Sequence, residues 1–539
     1  MYFRENPVLQ RELISNLRMT RGFLLLFAYV AGLGMLVYAA WPANQTLDLA
    51  RPEEAQKLVN LFFFGQYILV SLMTPSFAAG AITGERERES YEMLLASPLR
   101  PGAIVLGKLA ASLTPLAELM ICSLPIVMLC LPLGGVSPYE VLAAYLAMIF
   151  SVGLFGMISL WCSSFFQRTS ASLVASYMLI LPLAMAGVLV WRSLEQLGEA
   201  RLMVILTIVP IACISVGALL WADVCRRLIK PPDLGSGGKQ AIDLETEAKE
   251  AVGLYIERDQ FPDRLFAPPK RTTFLEDDAN PIYDKEMRSE IFSQGTLMLR
   301  LVIQISMGLA LPVMAVCLFM QRQLAPWYIA YVLLFNLLVG PVFSADSLTS
   351  ERERSTLDLL LTTLITPWQM LWGKLLSGLR VSSVLTSFLL WPVFLACLMP
   401  VGFWPNMLTM LAYFLIVGLT AVTTAITALF CSTVFKKSSS SLMCSYLVLA
   451  TLFLAPVAAN VFVQTFAAAS SAAGAVTALQ STSPFAAAFN LPLTLDDWNN
   501  ADRIDVRIFW GFLAFTAIYN GGLMLLMTQL FKVRWRVSE

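Results

Sequence analysis

Two stretches of this chain concentrate its charge. One reads Thr83-Gly-Glu-Arg-Glu-Arg-Glu-Ser-Tyr-Glu-Met-Leu-Leu95, the other Thr349-Ser-Glu-Arg-Glu-Arg-Ser-Thr-Leu-Asp-Leu-Leu-Leu361. On a helix, Glu85 would meet Arg88 three residues on, and Arg88 would meet Glu92 four residues on. Glu351, Arg354 and Asp358 repeat that spacing. Thr83, or Thr349 with Ser350, is placed to cap the start. Paired leucines close behind, Leu94-Leu95 and Leu360-Leu361, can pack back on neighbouring helices. A short, stiff, highly charged helix of this kind suits docking. A solvated helix that merely stops the preceding apolar run is the plainer reading of one copy. Glu85 and Glu351 lie 266 residues apart, and at the same offset each copy leads into a proline (Pro101, Pro367) and a Gly-Lys pair (Gly107-Lys108, Gly373-Lys374). That coincidence favours docking over accident.

Other chemistry is scarce. The chain has no histidine, which removes the commonest general base and most zinc, copper and haem sites. None of the nine cysteines forms a Cys-x-x-Cys, and they read as packing residues rather than as disulfides or metal ligands. Gly102 to Lys108 imitates a phosphate-binding loop. However, Leu109 stands where the magnesium-binding hydroxyl belongs, no strand precedes it, and the second copy has Trp368 at the position of the first glycine. Gly235 to Lys239 has the wrong spacing. No nucleotide site is therefore expected in this chain.

Glu118 falls about ten residues into a long apolar run, near the middle of a bilayer at ~1.5 Å per residue. An ionisable group there points to a transport pathway, or to a protonated or paired structural glutamate; the other half carries Val384 at this place. Arg380 lies nearer the inner boundary, where it is expected to snorkel. Gln66, Gln304 and Asn336 either line a pathway or bond between helices.

The elements that must position these residues are membrane helices. Of 539 residues, 57% are hydrophobic and 14% charged, against roughly a quarter charged in soluble domains. The net charge is zero, so no basic surplus invites nucleic acid. Spans need about 20 apolar residues. That rule predicts 22–41, 58–81, 108–132, 139–162, 171–191 and 203–222 in the first half. In the second it predicts 297–319, 326–348, 375–399, 405–431, 441–463 and 507–530. The polar N-terminus precedes a run long enough to span, so a cleaved signal peptide is not expected.

Loop charge sets the orientation. With a cytoplasmic N-terminus, inside loops hold Arg86, Arg88, Arg100, Lys108, Arg226, Arg227, Lys436 and Lys437, among others. Outside loops hold Arg51, Lys57, Arg192, Arg201, Arg322, Arg503 and Arg507. Both termini and both charged stretches are therefore expected in the cytoplasm. The fold class is an all-α polytopic membrane protein: about twelve transmembrane helices as a parallel tandem repeat of two six-helix bundles. The units are 1–230 and 280–539, joined by an acid-rich cytoplasmic linker, 231–279, that opens Pro231-Pro-Asp-Leu-Gly-Ser-Gly-Gly238.

Further echoes support duplication. Asn6-Pro7 precedes Arg11-Glu12, and Asn280-Pro281 precedes Lys285-Glu286, at an offset of 274. Leu9, Leu13 and Leu17, like Tyr283, Met287 and Ile291, stack on one face, as in an amphipathic helix lying in the membrane interface among lipids. Cys162-Ser163 with Ser176-Tyr177 matches Cys431-Ser432 with Ser445-Tyr446 at an offset of 269, around a short basic turn.

Taken together, Asn-Pro before an amphipathic helix, Glu-Arg-Glu-Arg running into Leu-Leu, and then Pro and Gly-Lys resemble the type-2 ABC transporter permease family. The resemblance covers both halves. It implies a permease, an exporter, whose first intracellular loop carries a coupling helix against a separate ATPase subunit. That role falls on Glu85, Arg86, Glu87, Arg88 and Glu92, and on Glu351, Arg352, Glu353, Arg354 and Asp358. It also implies two ATPase copies, with ATP and magnesium held in that partner, and residence in a bacterial inner (plasma) membrane. Closure of the ATPase subunits would push on the two charged helices and rock one half against the other. Ser483-Pro484-Phe485 is similar to a family feature absent from the first half, so the two extracellular sides are expected to differ. The competing class is an ion-gradient-driven secondary transporter, which would place several acids at mid-membrane; Glu118 alone stands there. An intramembrane enzyme would need a catalytic pair, and none is found.

Overall fold

A computed structural model describes residues 6–17, 26, 27, 29–35, 53–130, 137–166, 168–194, 199–229, 280–288, 296–320, 324–353, 355–363, 365–398, 407–466, 473–491 and 506–535. Among these residues the chain is almost entirely helical, with no strand. It divides into two compact units, Met1–Asp243 and Leu244–Glu539; the linker 231–279 lies outside the described residues.

The first unit comprises α1 (Pro7–Leu17), α2 (Glu53–Ala78), α3 (Gly80–Glu87), α4 (Tyr91–Leu95), α5 (Pro101–Cys130), α6 (Pro138–Phe165), α7 (Thr169–Leu194) and α8 (Glu199–Ile229). In the second, α9 (Pro281–Arg288) and α10 (Thr296–Met314, continuing as a π-helical stretch Ala315–Met320) precede α11 (Ala325–Ala345). Next come α12 (Thr349–Glu353), α13 (Leu357–Leu361), α14 (Pro367–Leu398), α15 (Met407–Val434) and α16 (Ser438–Leu449), which passes through a π-helical turn, Ala450–Leu454, into α17 (Ala455–Phe466). The unit closes with α18 (Ala473–Leu479), α19 (Pro484–Phe489) and α20 (Val506–Trp535).

Several helices open on proline, whose fixed φ and missing N–H suit a first turn. At α6 the Ser137 side chain accepts from the Glu140 N–H while Glu140 accepts from the Ser137 N–H, each at 3.2 Å, forming a capping box.

Among the described residues, ten helices are long and apolar enough to cross a membrane, five in each unit. The expected first span of each half is not among them. Residues 22–41 lie largely outside the described residues, and 297–319 contains only a shorter apolar helix, Val302–Leu318. The centre of the first unit is α6, packed against α2, α5, α7 and α8. The centre of the second is α15, packed against α11, α14, α16 and α20. Polar side chains inside these bundles are used for helix contact. Gln66 donates to the Ser123 hydroxyl at 2.7 Å, Ser123 shares a bond with the Tyr145 hydroxyl at 2.8 Å, and Thr386 donates to Asn336 at 2.8 Å. Bonds of this type replace the water that a membrane withholds.

Candidate functional site

The charged stretch is not one capped helix. In the first unit only Ala79 separates α2 from α3, and it keeps helical dihedral angles (φ −64°, ψ −26°). Thr83 lies inside α3 and donates back to the Ala79 carbonyl, so it caps nothing. Thr349, likewise, donates to Ala345. After Glu87 the chain makes a tight reversal. Ser90 N–H reaches the Glu85 carbonyl (2.9 Å), Glu89 N–H reaches the Arg86 carbonyl (3.1 Å), and Glu89 sits at φ +57°. In the second unit Thr356 bonds to Glu351 (2.9 Å), Ser355 bonds to Arg352 (3.1 Å), and Ser355 has φ +56°. Both are Schellman turns with a non-glycine residue at the left-handed position. Hence Arg88 makes no ion pair with Glu85 or Glu92. Arg354 lies outside the described residues.

Beneath each turn the same anchors recur. Arg86 spreads its guanidinium over the carbonyls of Phe166 (2.8 Å) and Ser164 (2.9 Å); Arg352 does so over Phe435 (2.5 Å) and Thr433 (2.6 Å). This fork satisfies the last carbonyls of α6 and α15, which lack intrahelical partners. The Ser163 hydroxyl accepts the N–H groups of Ile82 and Thr83, and Ser432 those of Leu348 and Thr349, all within 3.1 Å. Glu87 accepts the N–H of Thr169 at 2.7 Å and Glu353 that of Ser438 at 3.0 Å, placing a carboxylate at the start of α7 and of α16, where the helix dipole favours it.

The carboxylates of Glu85 and Glu351 turn inward, toward lysines of α5, α9 and α14. Lys108, 4% exposed, bonds Glu85 at 3.0 Å and Glu12 at 3.5 Å. Lys374, 1% exposed, bonds Glu286 at 2.9 Å and the Ser347 carbonyl at 2.6 Å, and lies 3.7 Å from Glu351. Lys285 reaches Glu351 at 2.7 Å. The second oxygen of each site carboxylate accepts from Ser90 or Thr356.

The Gly-Lys pairs acquire a physical reason. A Cβ on Gly107 would stand 2.8 Å from the Asn6 amide nitrogen, and one on Gly373 would stand 3.0 Å from the Asn280 oxygen. The glycine admits the asparagine, which donates to Ala103 or Gln369 at 2.7 Å and accepts from Val8 or Ile282. The lysine then binds the acid of the same short helix. The imitation of a phosphate loop is thus a clasp for α1 and α9. Arg380 donates to the Tyr283 hydroxyl at 2.9 Å, so it ties α14 to α9 rather than standing free.

The candidate residues therefore divide. Glu85, Arg86, Glu351 and Arg352 are anchors, and Glu87 and Glu353 are exposed caps. Arg88, Glu89 and Glu92 form an exposed tip with Met93, 79% exposed; Ser355 and Asp358 do so with Leu359, 69% exposed. Sequence reading missed Met93 and Leu359, although they too lie at the 266-residue offset. Glu118 is half-buried in α5, with no hydrogen bond or ion pair among the described residues.

A family model described as "ABC-2 family transporter protein" matches residues 8–211 and 248–532. No curated protein and no solved structure gives a significant match.

Proposed function

The chain belongs to the ABC-2 family of transporter proteins, and from that premise we propose that it is an export permease driven by separate ATPase subunits docked on the two charged tips. As a member it is an integral membrane component of ABC transport, and the family implies association with ABC ATPase subunits. The observation that carries the finer reading is the paired turn. Two units build the same anchored reversal from the same side chains, and each ends in an exposed acid beside an exposed apolar residue, Glu92-Met93 and Asp358-Leu359.

An apolar side chain that is about three-quarters exposed beside charges is suited to a partner's pocket. Arg88 and Glu92 supply charge complementarity around it. One ATPase subunit per unit, two in all, follows from the duplication, and ATP and magnesium reside in those subunits. Both termini and both tips face the cytoplasm across a bacterial inner membrane, and the first span of each half completes twelve helices in tandem repeat, with α1 and α9 in the lipid interface.

The test is co-purification with the cognate ATPase subunit from membranes. Met93→Asp with Leu359→Asp should abolish capture while the permease still elutes as a monodisperse species. Full capture by that double variant would exclude docking at the tips.

A further inference from the structure

The outer half of the first unit, on the orientation above, carries a half-open cavity of about 310 Å³ between α2, α6, α7 and α8. Its wall is almost wholly apolar: Phe63, Phe64, Met148, Val190, Trp191 and Ile205 contribute, with small residues Ala144 and Ala147 on α6. The second unit fills the corresponding place from its own chain. At the 269-residue offset that aligns Ser163 with Ser432, Ala144 and Ala147 become Tyr413 and Ile416, both fully buried. Helix α19, with Pro484, Phe485 and three alanines buried, packs against α11, α15 and α20, the counterparts of α2, α6 and α8. Phe489 meets Trp327 at the start of α11 edge to face, 5.3 Å between ring centres.

We propose that the first-unit cavity binds one aliphatic chain of a lipid. The argument is internal to the molecule. Where the second unit closes this space with aromatic, proline and alanine side chains, the first leaves it lined by small residues and by aromatics. Its volume is at the lower end of the ~300–1,000 Å³ of ligand pockets, room for a single slender chain rather than a bulky solute. An empty apolar void forfeits the dispersion contacts of its lining, and in a bilayer the abundant filler is aliphatic. The polar groups at the wall, Asn60, Tyr67 and Ser151, are too few for a sugar or a peptide. This site is separate from the coupling tips and does not rest on the export reading.

The test uses the full chain in membranes, photolabelled with a phospholipid carrying a diazirine midway along one acyl chain, with adducts mapped by peptide mass spectrometry. Adducts are expected on the cavity wall, within 144–151 and 186–191. They should fall at least five-fold in Ala144→Tyr/Ala147→Ile, which copies the second unit, while labelling of the exposed face of α8 at Ile208 and Ile211 is unchanged. If the double variant does not insert, Ala147→Ile alone is expected to lower the wall signal two-fold or more. Wall labelling no greater than at Ile211, or equal labelling in the filled variants, would overturn the proposal; the first result would mean that the protein's own chain closes the cavity. Repeating the labelling with the ATPase subunit and ATP identifies the source of the chain: loss of the adduct marks transported lipid, persistence marks resident bilayer lipid.

Discussion

At the scale of single residues, the site is a set of charges and hydroxyls satisfied by particular partners, and the satisfaction is uneven between copies. Lys374 has Glu286, Glu351 and a backbone carbonyl, whereas Lys108 has two carboxylates. Truncating a nearly buried lysine removes these contacts together, although Glu351 keeps Lys285, at a cost of about 2–3 kcal/mol for a partly exposed cluster. Lys374→Met should therefore lower the thermal midpoint in detergent more than Lys108→Met does; tryptophan fluorescence on heating reads the difference. Glu89 and Ser355 point the other way. Both occupy the left-handed region, which costs a side-chain-bearing residue roughly 1 kcal/mol. Glu89→Gly and Ser355→Gly should each raise the midpoint by an amount corresponding to about that energy, less the entropy glycine gains in the unfolded chain. A fall in either would mean that the side chain itself holds the turn.

At the scale of elements, α3 with α4, and α12 with α13, are brackets fastened at several points, and on the proposed coupling their fastening decides whether a push on the tip reaches the bundle. The forked arginine is the key fastener because it holds two carbonyls at once. Lysine keeps the charge but lacks the planar fork, so Arg86→Lys and Arg352→Lys should leave ATPase capture intact while cutting permease-stimulated ATP turnover several-fold. Unchanged stimulation would show that the bracket transmits force without them. Local spacing could reveal the repeat, because identical residues recur at identical offsets. It could not reveal which way the charges face. Reading Glu85, Arg88 and Glu92 as one helical stripe assumed that the helix continues, and no glycine marks the reversal at Glu89. The true partners are remote in sequence: Lys108 lies 23 residues from Glu85, and Lys374 lies 88 from Glu286. No helical periodicity connects groups so far apart. Met93 and Leu359 were hidden for a related reason, since an apolar residue beside a leucine pair reads as core until the turn sets it outward.

At the scale of the whole molecule, duplication gives two tips on one chain and makes the stoichiometry testable. Met93→Asp alone, or Leu359→Asp alone, should yield a complex with one ATPase subunit by native mass spectrometry, and the wild type a complex with two. Two copies retained in either single variant would place the second contact elsewhere. The helical character and most of the crossings were legible because long apolar runs permit little else in a membrane. The first crossing of each half was not matched, since 22–41 lies largely outside the described residues and 297–319 holds only a shorter apolar helix ending in a π-helical stretch. The two reversals share one backbone path although their letters differ, Glu89-Ser90-Tyr91 against Ser355-Thr356-Leu357. Because the path is dictated from below, the lettering at the summit is free to drift. On the proposed docking, each half can change the partner it recognises without refolding, so a fused pair of this design can diverge toward two different motors while remaining a single machine.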